Sequence, residues 1–312
     1  MIEVENLTKY YKGIRAVEGI TFNVSKGEIV GFLGPNGAGK TTTMRIIACF
    51  IPATKGTARV AGFDVFKDSF EVKKRIGYLP ETPPLYKEMT VTSFLEFVAK
   101  LRGVEGKRIK YRIDYALEKC GISDVKNRLI GNLSKGYKQR VGIAQAIIHD
   151  PEVLILDEPT IGLDPKQIAE IRHLIKELGG EHTVILSTHI LPEVTMTCQR
   201  VIIINEGKIV AIDSYESLSG NLRKSEKTFI KLSKIDEDIF KKLEMIKGLT
   251  HINRENLSEN SLIVESEVGV DTREEIASIC VKNNYGLLEM RPVVMSLEDI
   301  FLKLTTEEKG VN

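Results

Sequence analysis

The chain has 312 residues, of which 42% are hydrophobic and 28% charged, proportions of a globular protein that exclude a fibrous repeat or a wholly disordered chain. Lys and Arg number 44 against 43 Asp and Glu, so a net charge of +1 supplies no overall basic field, and nucleic acid is not expected as a partner. The length accommodates two domains of about 100–200 residues each.

The start, Met1-Ile-Glu-Val-Glu-Asn6, is acidic and polar and predicts neither a secretory signal nor a targeting helix. Ile2, Val4, Ile20, Phe22 and Val24 alternate with polar residues as half-buried strands do, and Ile29-Val-Gly-Phe-Leu33 reads as a strand feeding a glycine-rich turn. Met44, Ile47 and Ala48 recur at helical spacing until Phe50-Ile-Pro52 breaks the pattern. From Val91 to His149 the periodicity predicts helices around Phe94–Leu101, Ile113–Leu117 and Val141–Ile148. Strand-like runs return at Val153–Leu156, Thr183–Ser187, Val201–Ile204 and Lys208–Ile212. All fall far below the roughly 20 apolar residues that cross a bilayer, so the chain is not expected to span a membrane by itself. Strands alternating with helices imply a parallel α/β sheet covered on both faces, interrupted here by a helical insertion.

Around Ser214–Ser225 the residues turn small and polar, the composition of a linker. Beyond it, Thr228–Leu232, His251–Arg254, Leu262–Glu265 and Leu287–Val294 read as strands, with helices at Asp236–Ile246 and Thr272–Lys282. The order β-α-β-β-α-β is ferredoxin-like. Cys49, Cys120, Cys198 and Cys280 are widely spaced and form no C-x-x-C pair, which predicts reduced thiols and no metal site among them.

Two segments carry chemistry. Gly34-Pro-Asn36-Gly37-Ala38-Gly39-Lys40-Thr41-Thr42 fits G-x-x-x-x-G-K-[ST] and lies between a strand and a helix, the setting of a P-loop. Its glycines let backbone N–H groups wrap phosphate oxygens, Lys40 suits the β and γ phosphates of ATP, and the Thr41 hydroxyl suits Mg²⁺. Val153-Leu-Ile-Leu-Asp157-Glu158 is an apolar strand ending in two acids, at the strand end where α/β sheets place ligands. Asp157 suits the Walker-B role of holding Mg²⁺, and Glu158 that of orienting and deprotonating the attacking water.

With these two segments in place, four further elements make the chain resemble the ABC-transporter ATPase family. Leu133-Ser134-Lys135-Gly136-Tyr137 is similar to the family signature usually written L-S-G-G-Q, and the resemblance implies that Ser134 and Gly136 meet the ATP held by a partner subunit. Ile161-Gly-Leu-Asp164 resembles the D-loop, His189 after Val184-Ile-Leu-Ser-Thr188 resembles the switch histidine, and Tyr11 aligns with the aromatic that stacks on adenine, with Tyr10 beside it. Glu81 stands where the family usually has the Q-loop glutamine, and Lys135 and Tyr137 replace the usual glycine and glutamine. Glu81 either binds Mg²⁺ through water or faces a partner. These variants, with the ending Ser296-Leu-Glu-Asp-Ile-Phe301-Leu302, resemble the branch serving ABC-2 type exporters, including gliding-motility and antibiotic-efflux ATPases.

The resemblance, which covers about residues 1–218, implies an α/β fold, a P-loop NTPase (RecA-like) core with an antiparallel β subdomain and a helical insertion at about 85–150; the pattern beyond the linker adds the small ferredoxin-like α+β domain. The expected division is 1–218 for nucleotide binding and 219–312 for an accessory domain. It further implies an ATPase that works as a homodimer with separate integral-membrane permease subunits, at the cytoplasmic face of the cell membrane. Pro83-Pro-Leu-Tyr-Lys-Glu-Met89, within the span 81–97 expected to meet the permease, reads as exposed. The competing reading is a soluble ABC ATPase of DNA repair or translation. Such proteins usually carry tandem cassettes, a long coiled-coil insertion or zinc cysteines, and this sequence has none of these.

Overall fold

A computed structural model describes residues 1–221, 225–256, 260–293, 298–299 and 301. The chain divides into two compact units, the first ending at Tyr215 and the second starting at Glu216.

The first unit begins with a hairpin of β1 (Ile2–Tyr11) and β2 (Ile14–Val24), in which Ile2, Val4 and Phe22 point inward between exposed neighbours. After β3 (Ile29–Leu33) and α1 (Lys40–Ile47), β4 (Lys55–Val60) and β5 (Phe63–Asp64) join the hairpin in a four-stranded antiparallel sheet of order β2-β1-β4-β5. Next come α2 (Ser69–Arg75) and β6 (Ile76–Leu79), and then the helical insertion of α3 (Val91–Leu101), α4 (Gly106–Lys119) and α5 (Lys135–Ile147). Arg112 of α4 is buried because it caps α5: its guanidinium donates to the carbonyls of Ile147 at 2.7 Å and Ile148 at 3.0 Å, where a helix end favours positive charge. The rest of the unit is β7 (Val153–Asp157), α6 (Pro165–Gly179), β8 (Thr183–Thr188), α7 (Leu191–Thr197), β9 (Arg200–Asn205) and β10 (Lys208–Asp213).

The central six-stranded sheet runs β10-β9-β3-β8-β7-β6 and is parallel except for the β9–β10 edge pair. Its inner strands are buried on both faces, as parallel strands between two layers must be. Along β7, Leu154 and Leu156 enter a core shared with the helical insertion and α6, whereas Val153 and Ile155 enter one shared with α1 and the antiparallel sheet. The period of two in a strand thus splits one apolar run between two cores.

The boundary between the units falls inside the expected linker, and Tyr215–Asn221 there form a short helix, α8, with Leu218 buried.

In the second unit, β11 (Glu226–Leu232), α9 (Glu237–Glu244), β12 (Leu249–Asn256), β13 (Ser261–Ser266), α10 (Arg273–Lys282) and β14 (Leu287–Pro292) build an antiparallel sheet of order β12-β13-β11-β14. Both helices join its core, in which Ile230, Leu232, Ile239, Leu243, Ile276 and Cys280 pack together. This is the ferredoxin-like order read from the sequence. Val294 and, apart from Glu298, Asp299 and Phe301, the Ser296–Leu302 ending lie outside the described residues.

Candidate active site

The central sheet delivers its motifs at one end because register leaves no alternative. Leu33 of β3 lies opposite Thr188 of β8, and Asp157 of β7 lies opposite Ser187 of β8. The next residues along, Gly34, Glu158 and His189, therefore leave three neighbouring strands together. Beyond β7, β6 brings Pro80 and the exposed Glu81 out at the same edge, Leu79 lying opposite Leu156.

The phosphate loop packs tightly at both ends. A side chain at Gly34 would strike the Ile204 carbonyl, and Gly39 sits at φ 104°, where a Cβ would lie 2.6 Å from the Ala16 carbonyl oxygen. Between them Asn36 and Gly37 are exposed, while buried Ala38 accepts the Gly207 N–H at 3.0 Å. Lys40 opens α1 and folds back under the loop, its Nζ donating to the carbonyls of Gly34 at 2.8 Å and Pro35 at 3.2 Å. Thr41 and Thr42 follow in the first turn, half-buried.

Glu158 is the hub. One carboxylate oxygen lies 3.3 Å from Lys40 Nζ and the other 2.8 Å from His189 Nδ1; the Glu158 and Lys40 side chains are 6% exposed, the imidazole 37%. The Glu158 backbone stands at φ 51°, a left-handed conformation that is uncommon without glycine. Its N–H donates to the Ser187 carbonyl at 2.8 Å and its carbonyl accepts from Ile161 N–H at 3.2 Å, so both sides of the residue are held. Strain of this kind costs about 1–3 kcal/mol and persists where the surroundings over-determine it.

Asp157 is fully buried. Its Oδ1 accepts from Ser187 Oγ at 2.8 Å, and its Oδ2 has no partner among the described residues. Burial pushes its carboxyl above the usual aspartate range, with the charges of Glu158 and Glu81 adding to the push and the hydroxyls of Ser187 and Thr41 opposing it. A buried carboxylate oxygen with no donor, beside the Thr41 hydroxyl, is an all-oxygen arrangement suited to a hard divalent cation.

A second constellation forms around the signature segment. Ser134 caps α5, its Oγ accepting the Tyr137 N–H at 3.4 Å, and the Tyr137 hydroxyl donates to Asp124 at 2.8 Å. Asp164 caps α6 by accepting the Gln167 N–H at 2.9 Å, with Pro165 at the first helical position. Gly136 lies against the Gln167 side chain and Gly162 against Lys135 Nζ, so the start of α5 rests on the start of α6 and the loop before it. No hydrogen bond or ion pair among the described residues joins Ser134, Gly136 or Asp164 to Lys40 or Glu158. Tyr11 stands apart at the end of β1, 43% exposed, with Lys9 Nζ 5.1 Å above its ring, and Tyr10 beside it is 37% exposed.

Sequence reasoning missed Ser187, Thr188, Thr160 and Glu193. Glu193 is buried in α7, where its carboxylate accepts from Thr160 Oγ1 and, at 2.7 Å, from Thr188 Oγ1. Its partners lie 33 and 5 residues away, and no contiguous motif marks the cluster.

A family model described as "ABC transporter" matches residues 17–161. The bacitracin transport ATP-binding protein BcrA of Bacillus licheniformis is 36% identical over 307 residues, covering 97% of both chains. The linearmycin resistance ATP-binding protein LnrL of Bacillus subtilis (strain 168) is 32% identical over 310 residues, covering 98% of both. Among solved structures, the dimeric post-hydrolysis state of the ATP-binding cassette MJ0796 bound to ADP and Pi is similar at a TM-score of 0.63 and 27% identity, covering 69% of this chain and 98% of that one. Phosphate loop, buried acid pair and histidine on three adjacent strand ends thus coincide with full-length similarity, and the chain belongs to the ABC transporter ATP-binding protein family, as an ATP-binding and ATP-hydrolysing cassette.

Proposed function

We propose that this ATPase powers an ABC-2 type exporter through separate integral-membrane permease subunits, and that two copies of the chain work as a homodimer at the cytoplasmic face of the cell membrane. Its relatives named for bacitracin transport and linearmycin resistance support export. No helix among the described residues is long and apolar enough to cross a membrane. In this reading the passage for substrate lies in a separate polypeptide. A cleft of about 1080 Å³ beside the helical insertion supports docking of that polypeptide. Phe70, Tyr86, Phe97 and Leu101 line it and are exposed, and Tyr86 lies in the 83–89 segment expected to meet a permease. Residues 1–218 would bind nucleotide and 219–312 form the accessory domain.

The observation that carries the catalytic reading is Glu158 suspended between Lys40 and His189. In this reading Glu158 orients the attacking water and takes its proton, and His189 fixes the carboxylate and meets charge at the γ-phosphate. Gly34, Asn36, Gly37, Ala38, Gly39, Lys40, Thr41 and Thr42 hold the phosphates, and Tyr11 stacks on adenine. Asp157 and Thr41 would hold Mg²⁺, with Glu81 reaching it through water. Bound there, the ion would neutralise charge on the phosphate oxygens. Ser134 and Gly136 would close on the ATP of the partner copy, with Asp164 crossing beside it; the likeness to a dimeric ATP-binding cassette supports a site completed by two copies.

The test is to tag a Glu158→Gln chain, express it in its own cells and solubilise membranes with ATP present. The expected results are turnover lowered by about 10²–10⁴-fold with ATP still bound, and a polytopic membrane protein co-purifying. Ribosomes or DNA with no membrane protein would instead support the DNA-repair or translation reading, and a normal hydrolysis rate would remove Glu158 from its role.

A further inference from the structure

Glu193 is a buried carboxylate that the catalytic reading leaves unused. It is 1% exposed, and none of the ion pairs among the described residues includes it. Burial pushes its carboxyl above the usual glutamate range, with the charge of Glu158 adding to the push and the hydroxyls of Thr160 and Thr188 and the charge of His189 opposing it. A leucine in a short amphipathic helix would avoid the desolvation cost of an acid here. What the acid supplies is two acceptors pointing at two loops. Its Oε1 takes the hydroxyl of Thr160, two residues after Glu158, and Oε2 takes that of Thr188, one residue before His189, at 2.7 Å.

Each threonine is tied into its loop by its backbone or its hydroxyl. Thr160 accepts the Leu163 N–H at 3.1 Å through its carbonyl, which shapes the turn leading to Asp164, and Thr188 Oγ1 accepts the Ile190 N–H at 3.0 Å. The hydroxyl of Thr188 is thus both acceptor and donor. Loop after β7, carboxylate and loop after β8 form a closed ring with the 2.8 Å contact between Glu158 and His189 as its other joint.

We propose that Glu193 is a positioning residue for ATP hydrolysis: it braces the Thr160 and Thr188 loops against each other and so holds Glu158 and His189 in register. The inference rests on the catalytic reading of Glu158 and His189 given above. It separates Glu193 from nucleotide binding, because no group of the phosphate loop takes part in the ring. Loss of the brace therefore lowers kcat and leaves KM alone.

The experiment measures steady-state ATP hydrolysis and thermal melting of the full-length chain. Glu193→Ala is expected to lower kcat by about tenfold or more with KM within about twofold, and Glu193→Gln, whose amide can accept from one hydroxyl and donate to the other, to restore kcat to within about threefold of the parent. Because Glu193→Ala can fail to fold, a triple variant, Glu193→Leu with Thr160→Val and Thr188→Val, replaces every side-chain member of the brace by an apolar residue of similar size. Such replacement is close to neutral for stability at Glu193 and Thr160, whereas at Thr188 it also removes the acceptor of the Ile190 N–H and costs about 1–3 kcal/mol. The triple variant is expected to melt below the parent by no more than that, to stay folded at the assay temperature and to lose about tenfold in kcat with KM unchanged, a split that a purely structural role does not produce. Normal kcat in the triple variant overturns the proposal, as does a rise in KM with kcat unchanged. Glu158→Gln runs in the same assay: normal turnover there overturns the reading beneath, whereas an inactive Glu158→Gln beside a fully active triple variant overturns the brace alone.

Discussion

The two compact units bury polar groups in different ways. The first buries Lys40, Arg112, Asp157, Glu158 and Glu193, whereas the buried polar side chains described in the second are hydroxyls alone: Thr228, Ser261, Ser266 and Thr272. Hydroxyls are inexpensive to bury, because a backbone carbonyl within reach satisfies them, as Val270 does for Ser266 at 3.1 Å. Charges are not, since desolvation removes several kcal/mol per ion in real proteins, on the order of the whole stability of a domain. Apart from Arg112, which caps α5, the first unit carries that burden at the ends of β3, β7 and β8 and on α7, around the proposed catalytic site. Both units use strands and helices in alternation, so the difference lies in what their strand ends hold.

The comparison can be broken by core truncation. Leu243 of α9 and Leu186 of β8 are both buried, and replacing either by Ala is expected to cost about 2–5 kcal/mol, read by denaturant unfolding. Only Leu186→Ala should also reduce ATP turnover, because Leu186 precedes Ser187 and Thr188, whose hydroxyls hold Asp157 and Glu193. Loss of turnover in Leu243→Ala, with its unit still folded at the assay temperature, would erase the distinction.

Acid sharpens it. His149 is driven down to about 4, mainly by burial and then by the nearby positive charge of Arg102, against the opposing pull of the Ile76 carbonyl 3.1 Å away. Unfolded, a histidine takes its proton near pH 6.5. The unfolded chain therefore gains the proton first as pH falls; the stability is complete above about 6.5 and drains away between there and about 4, up to about 3 kcal/mol in all. Buried His182, also lowered by burial, adds in the same direction. Melting of the first unit should fall on going from pH 7 to pH 5, and His149→Gln should flatten that slope without abolishing it. An unchanged slope would show that His149 takes up its proton alike in the folded and unfolded chain.

What was legible beforehand follows the same division. Lys40, Asp157 and Glu158 lie in contiguous motifs whose spacing is set by one strand, one turn and one helix, so their placement could be read from the residues in order. His189 needed the family order as well. Glu193 could not be read at all, because its meaning depends on Thr160 and Thr188 brought together by strand register. Short elements such as β5 and α2 hold too few residues for periodicity to declare them. In the second unit the alternating strands were legible, and α8 was not: small polar residues suit a linker and a short helix equally well.

The smallest expected effect separates the units most cleanly, since it applies one chemical change to each. Asp164 caps α6 through the Gln167 N–H at 2.9 Å, and Asp236 caps α9 through the N–H groups of Asp238 and Ile239, each at 3.1 Å, while also accepting the Tyr285 hydroxyl. Asp→Ala at either place is expected to cost about 1 kcal/mol, and Asp→Asn much less, because the amide oxygen still accepts. Equal losses of stability should come with unequal losses of function: Asp236→Ala leaves turnover at the parent level, and Asp164→Ala lowers it. Asp164 sits four residues beyond Thr160 on the loop that Glu193 anchors, so a loosened cap there reaches Glu158 through that loop, whereas α9 supports only its own core. Turnover that falls equally in both variants would mean that helix stability, not the loop after β7, is what the assay reads.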